Sequence, residues 1–199
     1  MRQLFAVLLA FAVCCPAQIR FEERPIPFVL KNGATGHFYL PELMPGGVGV
    51  IDYDGDGCMD VYFANGAALP GMRKTGPEYW NRLYRNDCHG NFTDVTENSG
   101  LDPDMYGIAV TAADYDNDGF IDLLVTGYGK TILYHNDGNG HFTDVTAKAG
   151  IKVDGWAISS TWLDYDKDGC TDLFVGRYVK FDPKYHAYYA PDGYPGPLD

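Results

Sequence analysis

The chain has 199 residues with 15 Lys and Arg against 27 Asp and Glu, a net charge of −12, so no basic stripe is available to neutralise nucleic-acid phosphates. Hydrophobic residues make up 46% and aromatics 15%, enough to fill a core and to exclude a disordered chain. Gly (24) and Tyr (15) are abundant and helix-favouring runs are scarce, which points to β structure with many turns in a single domain.

Met1-Arg2-Gln3 carries one positive charge, and Leu4 to Cys15 is an apolar run of 12 residues. Cys15-Pro16-Ala17 then sets small residues at −3 and −1, so residues 1–17 are expected to be a signal peptide cleaved after Ala17. The expected location is outside the cytoplasm: secreted, periplasmic or at the cell surface. A membrane anchor is the competing reading, but 12 apolar residues fall short of the ~30 Å of hydrocarbon a span must cross. A lipoprotein is a weaker one, because Val13 and Cys14 are poor residues before a lipidated cysteine. No later segment is apolar enough for a transmembrane helix. Residues 18–46 form an N-terminal segment, in which Pro27 to Lys31 is expected to be an outer strand that closes a ring on its last blade.

A repeat organises residues 47–199. Asp52-Tyr-Asp-Gly-Asp-Gly-Cys-Met-Asp60 recurs as Asp114-Tyr-Asp-Asn-Asp-Gly-Phe-Ile-Asp122 and as Asp164-Tyr-Asp-Lys-Asp-Gly-Cys-Thr-Asp172. Leu83-Tyr-Arg-Asn-Asp-Cys-His-Gly-Asn-Phe-Thr-Asp-Val-Thr96 recurs 50 residues later as Leu133-Tyr-His-Asn-Asp-Gly-Asn-Gly-His-Phe-Thr-Asp-Val-Thr146. The first repeat is longer by 12 residues, which fall between Asn65 and Arg82. Each repeat predicts four short strands: a small, apolar first strand, the acidic loop, two β-rich runs, a tight turn and a short alternating strand. Four antiparallel strands per ~50 residues make the blade of a β-propeller. An α-solenoid is excluded because no stretch keeps a 3.6-residue period.

The fold class is therefore all-β: an open, partial β-propeller of about three four-stranded antiparallel blades, at 47–97, 107–147 and 156–199, the last incomplete. Small residues of the first strands (Gly46, Gly47, Gly49; Ala109, Ala112, Ala113; Ala157, Ser159, Ser160) suit a crowded central axis. Because rings close with roughly 4–8 blades, the chain is expected to be the N-terminal part of a longer protein or a truncated reading frame.

The acidic loops carry the chemistry. Asp occupies positions 1, 3, 5 and 9 in all three: Asp52, Asp54, Asp56 and Asp60; Asp114, Asp116, Asp118 and Asp122; Asp164, Asp166, Asp168 and Asp172. That many carboxylates within a few ångströms repel one another strongly without a cation. Alternation wraps their oxygens about one point, Gly at position 6 permits the turn, and the carbonyl of residue 7 (Cys58, Phe120, Cys170) offers another oxygen. An all-oxygen, flexible set suits Ca²⁺, about three ions in all, one per loop. The loop is not an EF-hand, since position 12 is Phe63, Val125 or Val175, inside the next strand. The competing reading is a set of metal-free Asp/Gly turns, against which three copies at fixed spacing weigh. The loops hold 12 of the 27 acidic residues, leaving 15 against 15 Lys and Arg, so the negative charge is local to them.

The loops and hairpins resemble FG-GAP/VCBS-type repeats, the calcium blades also found in integrin α-chain propellers. Gly36-His-Phe-Tyr-Leu-Pro-Glu42, Gly46-Gly-Val-Gly-Val-Ile-Asp-Tyr-Asp-Gly-Asp-Gly57, Leu83-Tyr-Arg-Asn86 and Phe92-Thr-Asp-Val-Thr96 look more closely like the cartilage acidic protein / ASPIC-UnbV family. The resemblance covers about Phe28 to Pro183 and implies a secreted, seven-bladed propeller followed by an ASPIC/UnbV segment that this sequence lacks. Carried over to this chain, it implies the twelve loop Asp as calcium ligands with the residue-7 carbonyls.

Of the remaining candidates, Cys58 and Cys88 fall at one end of the first blade, just before its second strand and just past its third. Phe120 and Gly138 replace both in the second, so a Cys58–Cys88 disulfide is expected in an oxidising compartment. Small buried residues are the alternative. Cys170 is expected to pair with a cysteine of a hairpin beyond the chain. The five His (37, 89, 135, 141, 186) have no ligand spacing and suit turns or surface. Trp80, Trp156 and Trp162 are expected mostly to pack between blades, and the stretch with Tyr178, Tyr185, Tyr188, Tyr189 and Tyr194 is the best candidate binding surface. No catalytic constellation is present, so the expected function is an exported calcium-binding module for adhesion or for contact with an extracellular protein or glycan, not an enzyme. The alternative is the N-terminal part of a propeller-based hydrolase or lyase whose catalytic residues lie elsewhere.

Overall fold

The computed structural model describes residues 22–37, 39–101 and 103–180. The expected signal peptide, residues 1–17, and residues 181–199 of the expected third blade, and with them Tyr185, Tyr188, Tyr189 and Tyr194, lie outside them. The described residues contain ten strands and two short 3-10 helices, Leu40–Leu43 and Pro77–Tyr79. No helix among them is long and apolar enough to cross a membrane.

The strands form three antiparallel sheets that follow the sequence repeats. The first contains β1 (Gly47–Ile51), β2 (Asp60–Ala64), β3 (Arg82–Asn86) and β4 (Phe92–Asp94) in that order. The second contains β5 (Tyr106–Ala113), β6 (Asp122–Tyr128), β7 (Thr131–Asn136) and β8 (Phe142–Asp144). The third pairs β9 (Ala157–Leu163) with β10 (Asp172–Arg177). Each acidic loop joins the first two strands of its sheet, and in the first blade the register begins where the loop ends, Ile51 opposite Asp60. The fold is an open array of propeller blades.

The small first-strand residues let the sheets approach face to face. A Cβ on Gly47 would lie 2.7 Å from the Cα of Ala109, and one on Gly49 2.7 Å from Val110. Thr111 and Ser160 meet hydroxyl to hydroxyl across the next joint. Between the first two blades lies a core of Ile51, Tyr62, Leu83, Leu123, Val125, Tyr134 and Phe142. Leu124 and Leu133, with Tyr115, Trp162, Leu173 and Val175, fill the second joint. The outward face of the third sheet is uncovered: Phe174 is 67% exposed, whereas Tyr62 and Leu124, two residues past the loop's last Asp in the earlier blades, are fully buried. Val48 and Val50 are likewise exposed on the first sheet.

The extra residues of the first repeat contribute to the core as well as to the surface. Ala67, Leu69 and Met72 pack with Tyr106, Ile108 and Trp156 into a third cluster, joined by Tyr39, Leu40 and Met44 from the N-terminal segment. This cluster sits where β2 ends and β1 begins, at the pole opposite the acidic loops. Pro27 to Lys31 belongs to no strand. Phe28 instead stacks on Phe63 of β2 with ring centroids 4.3 Å apart, the Tyr84 hydroxyl donates to the Pro27 carbonyl, and the Lys31 N–H donates to Asn65 Oδ1.

The tryptophans divide by environment. Trp156 is buried and Trp162 stacks on Tyr115, both at blade joints. Trp80 is exposed, with the Arg82 guanidinium over its ring. Tyr178, the described member of the tyrosine-rich stretch, meets Trp156 edge to face at 5.5 Å, and its N–H donates to the Trp156 carbonyl.

Candidate metal centre

The three acidic loops share one hydrogen-bond scheme, set by local sequence. The N–H of the position-6 glycine donates to the position-1 carboxylate: Gly57 to Asp52 at 2.9 Å, Gly119 to Asp114 at 3.0 Å, Gly169 to Asp164 at 3.1 Å. The N–H of residue 7 donates to the position-5 carboxylate: Cys58 to Asp56, Phe120 to Asp118, Cys170 to Asp168. Backbone at positions 4 and 6 is left-handed in every loop, φ being +73°, +59° and +63° at Gly55, Asn117 and Lys167. Position 6 keeps glycine for that reason, with φ of +86°, +93° and +88°.

Position 9 fastens the loop to its blade. Asp60 and Asp122 are completely or almost completely buried. One oxygen of Asp60 accepts from the Tyr53 N–H at 3.1 Å and the other from the Asn86 N–H at 2.8 Å. Asp122 accepts from Tyr115 at 3.1 Å and Asn136 at 2.8 Å. The asparagine of each Leu-Tyr-x-Asn-Asp motif completes the joint, the Asn86 side-chain amide donating to the Met59 carbonyl and that of Asn136 to those of Tyr53 and Ile121. Burial raises the pKa of both carboxyl groups; their two backbone donors oppose it, and neighbouring loop aspartates raise it further. Asp172 repeats the first of these bonds, accepting from Tyr165 at 2.9 Å.

The predicted ligands converge. Asp52, Asp54 and Asp60 bring carboxylate oxygens within 4.8 Å of one another, as do Asp114, Asp116 and Asp118, and Asp164, Asp166 and Asp172. Asp56 turns toward Arg85. Asp168 accepts the Cys170 N–H and donates its own N–H to Asp164 and Asp166. One atom tests the donor set directly. Asp52 Oδ1 is buried and has no hydrogen-bond partner, an arrangement whose cost a cation would remove. Oxygen-only donors with a position-6 turn fit a hard divalent ion.

Two residues facing the loops escaped the sequence reading. His135 on β7 places Nδ1 3.4 Å from Asp116 and 3.3 Å from Asp122, with Nε2 3.8 Å from Asp118. Arg85, at the matching place on β3, places Nε 2.7 Å from Asp54 and Nη2 2.8 Å from Asp56. Both are the variable residue of Leu-Tyr-x-Asn-Asp, and the motif's alignment is the signal that would have found them.

Cys58 and Cys88 form a disulfide with Cα atoms 5.4 Å apart, inside the reach of the bond. The matching pair in the second blade is also in contact, since a Cβ on Gly138 would lie within 2.6 Å of the Phe120 ring. Two different devices thus tie the acidic loop to the hairpin turn. Cys170 is exposed and unpaired among the described residues, and the Asp168 carboxylate beside it raises its thiol pKa.

A family model for the FG-GAP-like repeat matches residues 52–125 and 114–175. The chain belongs to the FG-GAP-like repeat family. Each match opens on an acidic loop and ends in the strand after the following loop, so one FG-GAP unit spans a blade joint. No curated protein matches the chain.

Proposed function

We propose that this FG-GAP chain is an exported, calcium-dependent propeller module whose acidic loops hold about three Ca²⁺ ions as structural elements and whose faces serve adhesion or contact with an extracellular protein or glycan. The observation that carries the calcium reading is the convergence of three carboxylates in each loop, with, in the first loop, a buried oxygen, Asp52 Oδ1, that no hydrogen bond satisfies. The residues that would hold the ions are the twelve loop Asp, with the carbonyls of Cys58, Phe120 and Cys170. Bound calcium offsets half the charge of each cluster of four carboxylates. The protein's own part is to hold positions 1 and 5 by backbone N–H groups and to anchor position 9 in the blade.

Export is supported by residues 1–17 and is consistent with the Cys58–Cys88 disulfide, which oxidising compartments favour. The seven-bladed architecture of the cartilage acidic protein / ASPIC-UnbV family is the parent form we assign, on the motifs quoted above. The role is binding, not catalysis. Equilibrium dialysis against calcium should load about three ions per chain, with dissociation constants of ~10⁻⁴–10⁻³ M typical of extracellular modules. A chain that takes up no calcium at millimolar concentration would refute the proposal.

A further inference from the structure

We infer that the variable residue of the Leu-Tyr-x-Asn-Asp motif sets the cation affinity of its own blade's acidic loop, and that Arg85 acts as a built-in counter-cation which makes the first loop a weaker calcium site than the second. The inference rests on the calcium reading above. The motif brings its third residue onto the loop because the following asparagine is bonded to position 9: Asn86 to Asp60 and Asn136 to Asp122. The residue before that asparagine then lies over positions 3 and 5.

In the first blade that residue is a permanent cation. Its guanidinium holds one oxygen of Asp54 at 2.7 Å and one of Asp56 at 2.8 Å. These are the two alternating carboxylates that cation binding requires, so calcium must displace or tolerate a positive charge at contact distance. In the second blade the same place holds His135, whose ring nitrogens stand 3.4 Å from Asp116 and 3.8 Å from Asp118, farther than the guanidinium contacts of the first loop, with the buried Nδ1 left without a hydrogen bond. The third sheet contains only β9 and β10 among the described residues, so the contrast is between the first two loops. A unit charge several ångströms from a divalent ion near a protein surface weakens binding by about tenfold or more.

Calcium titration calorimetry on the whole chain and on the variants Arg85→Gln and His135→Arg tests this. In wild type the first-loop site is expected to be weaker than the second-loop site. Arg85→Gln should tighten the first-loop site about tenfold, and His135→Arg should weaken the second-loop site. Arg85 is half exposed, so its replacement leaves the core intact. An Arg85→Gln isotherm identical to wild type, or weaker, overturns the role of Arg85 while leaving calcium binding in place. An absence of calcium binding in all three proteins overturns the calcium reading and this inference together.

Discussion

Replacing Asp122 with alanine is expected to cost about 4 kcal/mol of folding stability, and the cost should persist in chelator. Asp122 has a structural role that is independent of the proposed metal ligation. Its two oxygens accept the Tyr115 and Asn136 N–H groups at 3.1 and 2.8 Å in a site closed to solvent. Alanine leaves both donors buried and unpaired, at about 1–3 kcal/mol each, and opens a cavity at the joint of β6 and β7. Asp122→Asn keeps the shape and one acceptor oxygen, so its loss should be about half as large. Urea unfolding of the two variants, with and without calcium, separates the fastening role from ligation. A destabilisation that vanished in chelator would show that Asp122 acts through the metal alone.

The second large effect lies at the opposite pole. Lys74→Met is expected to destabilise the protein by about 3 kcal/mol and to lower the melting temperature by roughly 10 °C. The Lys74 ammonium donates to the carbonyls of Asn65, Gly66 and Tyr79 at 2.8, 2.8 and 2.6 Å and to Asn81 Oδ1 at 3.0 Å. It is the crosspiece of the longer first repeat, and its own N–H donates to Asp104 in the connection to β5. Burial pushes its pKa down to about 7, against the pull of Asp104. Methionine keeps the stem but removes the ammonium from four acceptors; the Asn65 carbonyl and Asn81 Oδ1 keep the Gly107 and Asn65 N–H donors, while the Gly66 and Tyr79 carbonyls lose the ammonium's hydrogen bond. Calorimetric melting checks this, and a variant within about 1 kcal/mol of wild type would mean that water replaces the ammonium at no cost.

The antiparallel four-stranded pattern was legible in the sequence because both signals are local. Acidic loops mark where the first strand turns into the second, and the Asn-Asp hairpins mark the third and fourth. The Cys58–Cys88 pair was legible for the same reason, since antiparallel neighbours bring loop and turn to one end. The reach of long side chains between elements was not. Arg85 and His135 sit in strands whose neighbours the sequence orders correctly, but only the Asn–Asp hydrogen bonds swing them over the loop. The Asn65–Arg82 excess was legible as extra length, but the burial of Leu69 and Met72 was not, because partners such as Tyr106 and Trp156 are distant in sequence. Pro27 to Lys31 has strand-like composition, yet the Phe28–Phe63 stack and the Asn65 side chain hold it in this chain, and neither contact has a short-range signature. The left-handed conformation at Asn117 and Lys167 was invisible as well, because only the first loop has glycine at position 4.

The central claim is that cations complete the acidic loops of this FG-GAP array. Its most direct test is thermal unfolding in 2 mM calcium and in excess EDTA. With three sites each contributing about 1 kcal/mol at that concentration, the melting temperature should fall by roughly 5–10 °C in chelator and recover when calcium is restored. A melting temperature that is the same in calcium and in EDTA would contradict the account.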